Sequence, residues 1–110
     1  MRVNLKTTNF DLTPSIEIVA EKKLVLPVKK LLVKIDPKSD VIFDIELGRT
    51  TKHHNKGKIW RAEAQISLPG LKNMLRAEAL AESLAEAVSL VKNEITQEIK
   101  KHKEKTRIQG

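Results

Sequence analysis

In Ile59-Trp60-Arg61-Ala62-Glu63-Ala64-Gln65-Ile66-Ser67-Leu68, apolar and polar residues alternate from Trp60 to Leu68. A strand turns successive side chains to opposite faces. Trp60, Ala62, Ala64, Ile66 and Leu68 therefore share one face, and Arg61, Glu63, Gln65 and Ser67 share the other. Such a strand belongs to a sheet with one face on a core and the other in water. Upstream, across the polar loop from Gly48 to Lys58 with its Asn55-Lys56-Gly57 turn, Val41 to Leu47 repeats the pattern. Val41, Phe43, Ile45 and Leu47 point inward there, and Asp44 and Glu46 outward. Downstream, Pro69-Gly70 opens a turn, and Met74 to Ala79 reads as a short strand with Leu75, Ala77 and Ala79 inward. Near the N-terminus, Arg2 to Thr7 alternates in the same way, with Val3 and Leu5 on the apolar face.

Two helical patterns complete the chain. Thr13-Pro14 combines an N-cap side chain with a proline at the first helical position, where its missing N–H costs nothing. Ile16, Val19, Ala20 and Leu24 follow at the spacing of one buried face. Pro27 is expected to stop or kink this helix, because it lacks a donor and its ring clashes with the preceding turn. Helix is expected to resume over Val28 to Ile35, before the turn Asp36-Pro37-Lys38-Ser39-Asp40. From about Glu82 to Lys103, Leu84, Val88, Val91, Ile95 and Ile99 form a second apolar stripe. The order is β-α-β-β-β-α. Each strand has a single apolar face, so both helices belong on the same side. The expected fold is α+β, a two-layer domain with a four-stranded sheet and two helices on one face. Residues 1–105 form one domain, and 106–110 a flexible tail.

Composition limits the function. At 110 residues with 40% hydrophobic content the chain holds one core and is not disordered as a whole. It has no cysteine, which excludes disulfides and thiolate metal sites and fits a reducing cytoplasm. Met1 to Phe10 has no apolar run of the kind a signal peptide needs, and no stretch is long and apolar enough to span a membrane. Lys and Arg number 21 against 14 Asp and Glu, a net charge of +7 that attracts polyanions, nucleic acid first.

The cations are clustered. Ala20 to Lys34 holds Lys22, Lys23, Lys29, Lys30 and Lys34 against Glu21. Arg49 to Arg61 holds Arg49, Lys52, Lys56, Lys58 and Arg61 with no acid. Lys100 to Arg107 holds Lys100, Lys101, Lys103, Lys105 and Arg107 against Glu104. Lys92, Lys100 and Lys103 fall close to one stripe beside the buried face of the second helix. Any single lysine is ordinarily a solvated side chain, but three clusters together are an inventory for phosphate binding. Other constellations carry less. His53-His54 has no nearby carboxylate or cysteine to complete a metal site. Trp60 is able to stack on a base, but its alternation with Ala62 and Ala64 assigns it to the core. Glu63 and Glu78 form a carboxylate pair on the polar face with no nucleophile or phosphate-loop motif beside it. No enzyme activity, cofactor, metal or small-molecule substrate is expected.

Three stretches resemble the ribosome hibernation-promoting factor and ribosome-associated inhibitor family. Asn9-Phe10-Asp11-Leu12-Thr13-Pro14-Ser15-Ile16 with Glu21-Lys22-Lys23-Leu24 is similar to that family's loop into the first helix. Leu68-Pro69-Gly70 with Leu75-Arg76-Ala77-Glu78 is similar to its third turn and fourth strand. Ala87-Val88 through Ile95, Ile99 and Lys100-Lys101-His102-Lys103 is similar to its second helix and basic end. The resemblance runs from about Arg2 to Lys105. Pro27, Glu94, Gln97 and the long turn Leu71-Lys72-Asn73 depart from the pattern.

The resemblance implies a fold related to double-stranded RNA-binding domains. It also implies docking in the decoding region of the small ribosomal subunit, with the ribosome held inactive, and a short form without the domain that pairs ribosomes. The expected rRNA contacts are Lys22, Lys23, Lys29, Lys30, Lys92, Lys100, Lys101 and Lys103. Two other readings stay open: a general double-stranded RNA-binding module, and a protein-interaction adaptor using the open sheet face. The acids Glu78, Glu82 and Glu86 at the start of the second helix suit its dipole. They weigh against a generic duplex binder, which places lysines there.

Overall fold

The computed structural model describes residues 1–35, 41–51, 53, 56–68 and 74–109, and for residues 35 and 104–109 the backbone alone. The turns expected at 36–40 and 69–73 lie outside the described residues, as do Lys52, His54 and Asn55. Strands β1 (Arg2–Thr8), β2 (Ile42–Arg49), β3 (Trp60–Ser67) and β4 (Leu75–Ala81) form one sheet in the order β1-β2-β3-β4. β1 runs parallel to β2, and the other two pairs are antiparallel. A parallel pair requires a crossover, which the helices α1 (Pro14–Ala20) and α2 (Leu26–Ile35) supply. α3 (Leu84–Gln109) follows β4.

The register sets inward residues side by side: Phe43 opposite Ile66, Ile45 opposite Ala64, Leu47 opposite Ala62. Across β3 and β4 the inner face is lined with alanine, with Ala64 opposite Ala77 and Ala62 opposite Ala79. Small side chains there let α3 approach closely. Val88, Val91, Ile95 and Ile99 fill the space and are fully buried. The same cluster takes in Ala20, Leu24, Val25, Val28 and Leu32 from the first helical course, so one core serves both helices. The α+β reading holds, and the helices cover one face.

The start of α1 is as the sequence indicates. Thr13 is extended, its Oγ1 accepts the Ile16 N–H at 3.3 Å, and Pro14 follows. Pro27, however, does not stop the helix. Between α1 and α2 the chain forms a π-helical turn, Glu21–Val25, and the backbone stays right-handed helical through Ala20, Glu21 and Leu26. The Leu26 N–H donates to the carbonyl of Glu21, five residues back. This widened turn comes just before the proline, at the place where an α-helical ladder would need the N–H that proline lacks. Its extra residue also lets two consecutive side chains, Leu24 and Val25, enter the core. Ile16 and Val19 are only half-buried.

Ser83 caps α3: its Oγ accepts the Glu86 N–H at 3.1 Å and its carbonyl the Ala87 N–H at 3.1 Å. The helical backbone continues to Gln109, past Lys103 and through most of the expected tail. No proline or glycine lies between Leu84 and Gln109 to end it.

Candidate nucleic-acid interface

Lys22 and Lys23 lie in the π turn and Lys29 and Lys30 in α2, all exposed. Their directions follow from the buried row Ala20, Leu24, Val25, Val28 and Leu32. Opposite that row, on the crest, run Ile18, Lys22, Leu26, Lys30 and Val33. Lys23 falls on the flank with the half-buried Val19, Pro27 and Leu31, each four residues apart. The other flank carries Glu17, Glu21 and Val25, which border a groove of about 260 Å³ with Val3, Leu5 and Leu12 at the β1 edge. Lys29, one turn beyond Val25, belongs to that edge. The flank of Lys23 therefore faces α3.

On α3 the buried row is Ala87, Val88, Val91, Ile95 and Ile99. One flank, with Lys92 and Thr96, is half-buried, and the other, with Leu90, Glu94 and Lys101, is exposed. α3 packs against the π turn and α2, and the half-burial of Lys92 and Thr96 fits that flank as the one turned toward them. Lys103 continues it about two turns beyond Thr96, and Lys100 stands on the crest. Lys23 and Lys92 thus fall on the flanks that the two helical courses turn toward each other, Lys103 continues the α3 flank, and Lys22, Lys30 and Lys100 stand on the crests. Lys29 and Lys101 lie on the outer flanks. Lys101 also pairs with Glu98 at 3.8 Å, an exposed i,i+3 contact of small energy. Lys105 and Arg107 have no described side chains.

The opposite face of the sheet carries charges of both signs, and on β3 and β4 they pair. Arg61 donates from Nη2 to Glu63 at 2.8 Å and from Nε to Glu78 at 2.9 Å. Arg76 reaches Glu63 at 2.8 Å and Glu78 at 3.5 Å. The hydrogen bond from Arg61 holds the Glu78 carboxyl below its ordinary pKa and raises that of Arg61. Further along, Asn4 donates to Asp44 at 2.8 Å and Thr8 to Glu46 at 2.9 Å. The carboxylates read as a possible pair, Glu63 and Glu78, are both bridged by arginine.

At the end of the sheet Trp60 is half-buried. Phe10 meets it edge-on at 5.3 Å between ring centroids, and the Arg49 guanidinium lies 5.4 Å from its ring. Asn9 has a positive φ of 65°, which asparagine tolerates, and its side-chain amide donates to the Arg49 carbonyl at 2.8 Å. These contacts fix the Asn9-Phe10 motif against the base of the basic loop. Beside them, Thr8, Asn9, Glu46, Gly48, Arg49, Thr50 and Arg61 line a polar depression of about 240 Å³. The sequence reading missed it, because its residues come from three separate segments. His53 is exposed, with its backbone N–H on the Thr51 hydroxyl. No helix among the described residues is long and apolar enough to cross a membrane.

A family profile described as "Sigma 54 modulation protein / S30EA ribosomal protein" matches residues 3–107. Among solved structures, the N-terminal domain of Thermus thermophilus Protein Y is 25% identical, with a TM-score of 0.62 over 88% of this chain and 94% of that one. A ribosomal subunit interface protein from Coxiella burnetii is 20% identical, with a TM-score of 0.64 over 94% of this chain and 98% of that one. A search of curated proteins finds no match.

Proposed function

Because the chain belongs to the sigma-54 modulation and S30EA ribosomal protein family, we propose that it is a ribosome-associated translation inhibitor. It binds small-subunit rRNA in the decoding region and holds ribosomes inactive. The observation that carries this reading is the division of charge between the two faces. Carboxylates on the sheet face are bridged by arginines or hydrogen-bonded in place, whereas the helical side of the domain carries Lys22, Lys23, Lys30, Lys92, Lys100 and Lys103. Cations on rigid helices are what phosphate contacts need, since each neutralised phosphate releases counterions. The first turn of α3 is acidic, with Glu86, so the electropositive end of that helix is not free for duplex phosphates. This favours the ribosome over free duplex RNA. On β3 and β4 the charges of the sheet face are already paired, which leaves a protein adaptor fewer open groups there.

Sucrose gradients with purified subunits test the proposal. The chain is expected to sediment with the small subunit, to be displaced by messenger and transfer RNA bound together, and to slow translation in vitro. Sedimentation unaffected by those ligands contradicts the decoding-region site. Equal binding to free duplex RNA supports the rival reading.

A further inference from the structure

Among the described residues β1 is an edge strand, with β2 as its one neighbour in the sheet. The Arg2 N–H donates to the Val41 carbonyl at 2.8 Å, which fixes how the peptide groups of the strand alternate. In a strand, backbone groups of successive residues turn to opposite sides. Those of Arg2, Asn4, Lys6 and Thr8 therefore meet β2, and those of Val3, Leu5 and Thr7 point to the open edge. The pairing with β2 runs unbroken from Arg2 to Thr8. β1 thus lacks the proline or bulge that commonly blocks an edge.

A groove of about 260 Å³ runs beside this edge. Val3 and Leu5 lie in register with Phe43 and Ile45 and so face the helical side. α3 packs on β3 and β4, away from β1, and Val3 stays 37% exposed. The buried Ala20, Val25 and Ile45 form the floor of the groove. Its rim carries the exposed Leu12, Glu17 and Glu21. Neither carboxylate is in an ion pair among the described residues.

An open edge beside an apolar groove is the setting in which peptides bind by strand addition. Main-chain bonds give affinity there, and pockets for alternate side chains give specificity. The groove selects the peptide. Residues turned to the helical side meet Val3, Leu5 and Leu12, which suits aliphatic side chains. A lysine or arginine on the same face reaches Glu17 or Glu21. Residues turned the other way lie beside Arg2 and Lys6, which disfavours cations. A second copy of the chain fits poorly. Two β1 strands paired antiparallel about Asn4 set Arg2 against Lys6, and each copy carries a net charge of +7.

We infer that the open edge of β1 and its groove bind an extended segment of another protein. That segment has aliphatic residues at alternate positions and a lysine or arginine on the same face. The site lies on the flank away from Lys23 and Lys92, so it does not depend on the RNA-binding reading.

Panning random decapeptides on the chain, with Val3→Pro as counter-selection, tests the inference. Proline there removes an outward N–H and leaves the bonds to β2 in place. Peptides retained by the parent chain alone are expected to show the alternating aliphatic and basic pattern. With the best of them bound, amide exchange is expected to slow at Val3, Leu5 and Thr7 and to change little at Asn4 and Lys6. Glu17→Gln and Glu21→Gln are each expected to weaken that peptide by up to about fivefold, the worth of an exposed ion pair. N-methylation of the peptide at alternate residues gives a second measurement that leaves the chain untouched. One alternating set is expected to abolish binding, and the other to spare it. Retention of no peptide over Val3→Pro overturns the inference, as does retention of acidic peptides only. Equal binding by both N-methylated sets overturns it, and so do unslowed amides at Val3, Leu5 and Thr7. Self-association through β1 that excludes the peptide also overturns it, because a second copy is then the occupant.

Discussion

Glu63 and Glu78 stand directly opposite each other across the β3–β4 ladder, and Arg61 and Arg76 each bridge both. Like charges at such a position are destabilising by themselves. The arginines, placed diagonally, turn the pair into a closed ring that holds the hairpin in register. Glu63 is the least exposed member, at 12%.

Arg61→Ala is expected to lower stability by about 1 kcal/mol, the upper end for partly exposed ion pairs. The pH dependence has a definite sign. The folded-state pKa of Glu78 is depressed, chiefly by the Arg61 hydrogen bond. Its stabilisation is therefore fully present above the ordinary carboxylate pKa and is lost as pH falls through the lowered value. Urea midpoints of the parent chain and Arg61→Ala are expected to differ near neutrality and to converge in acid. A difference that widens in acid contradicts the ring.

Ile95 is fully buried where α3 crosses the alanine-lined part of the sheet. Ile95→Ala is expected to cost about 2–5 kcal/mol through lost burial and an unfilled cavity. Leu90→Ala, earlier on the exposed flank of the same helix, is expected to cost under about 0.5 kcal/mol. Denaturant titration of the two variants measures the contrast.

Ser83→Ala removes the side-chain acceptor at the start of α3 and is expected to cost about 1 kcal/mol. Ser83→Asp is expected to keep the stability of the parent, since aspartate caps equally well. Thermal unfolding followed by circular dichroism separates the two.

Trp60 is the chain's one tryptophan, and Phe10 and Arg49 both contact its ring. Its fluorescence is expected to red-shift in Phe10→Ala and to stay nearly unchanged when small subunits bind. Strong quenching on binding identifies Trp60 as a base-stacking residue instead.

The sheet was legible because Trp60 to Leu68 and Ile42 to Leu47 alternate, apart from the exposed Ile42 on the polar face, and both patterns survive in the observed register. The continuous first helix was harder to read. The adjacent apolar pair Leu24-Val25, followed by Val28 and Leu32, encodes the π turn, but a strict α-helical period reads Val25 as misplaced and Pro27 as a stop. That turn in turn fixes which lysines share the crest, so the eight cations were visible as a class while their division between facing flank, crest and outer flank was not. The Arg61–Glu63–Arg76–Glu78 ring was out of reach for another reason. It depends on Glu63 falling opposite Glu78, which is set by the pairing of β3 with β4 and not by either strand alone. The far end of α3 was underestimated because hydrophobic periodicity fades after Ile99, while nothing in the sequence breaks the helix.

The measurement closest to the central claim is the salt dependence of binding to purified small subunits, for the parent chain and for Lys23→Gln, Lys92→Gln, Lys101→Gln and Arg76→Gln. Affinity is expected to fall steeply with salt, and loss of Lys23 or Lys92 on the facing flanks to lower the logarithmic slope by about one each. Lys101 on the outer flank and Arg76 on the sheet face are expected to leave the slope unchanged. A slope that responds to Arg76 and ignores Lys23 and Lys92 contradicts the account, because the RNA would then lie on the sheet.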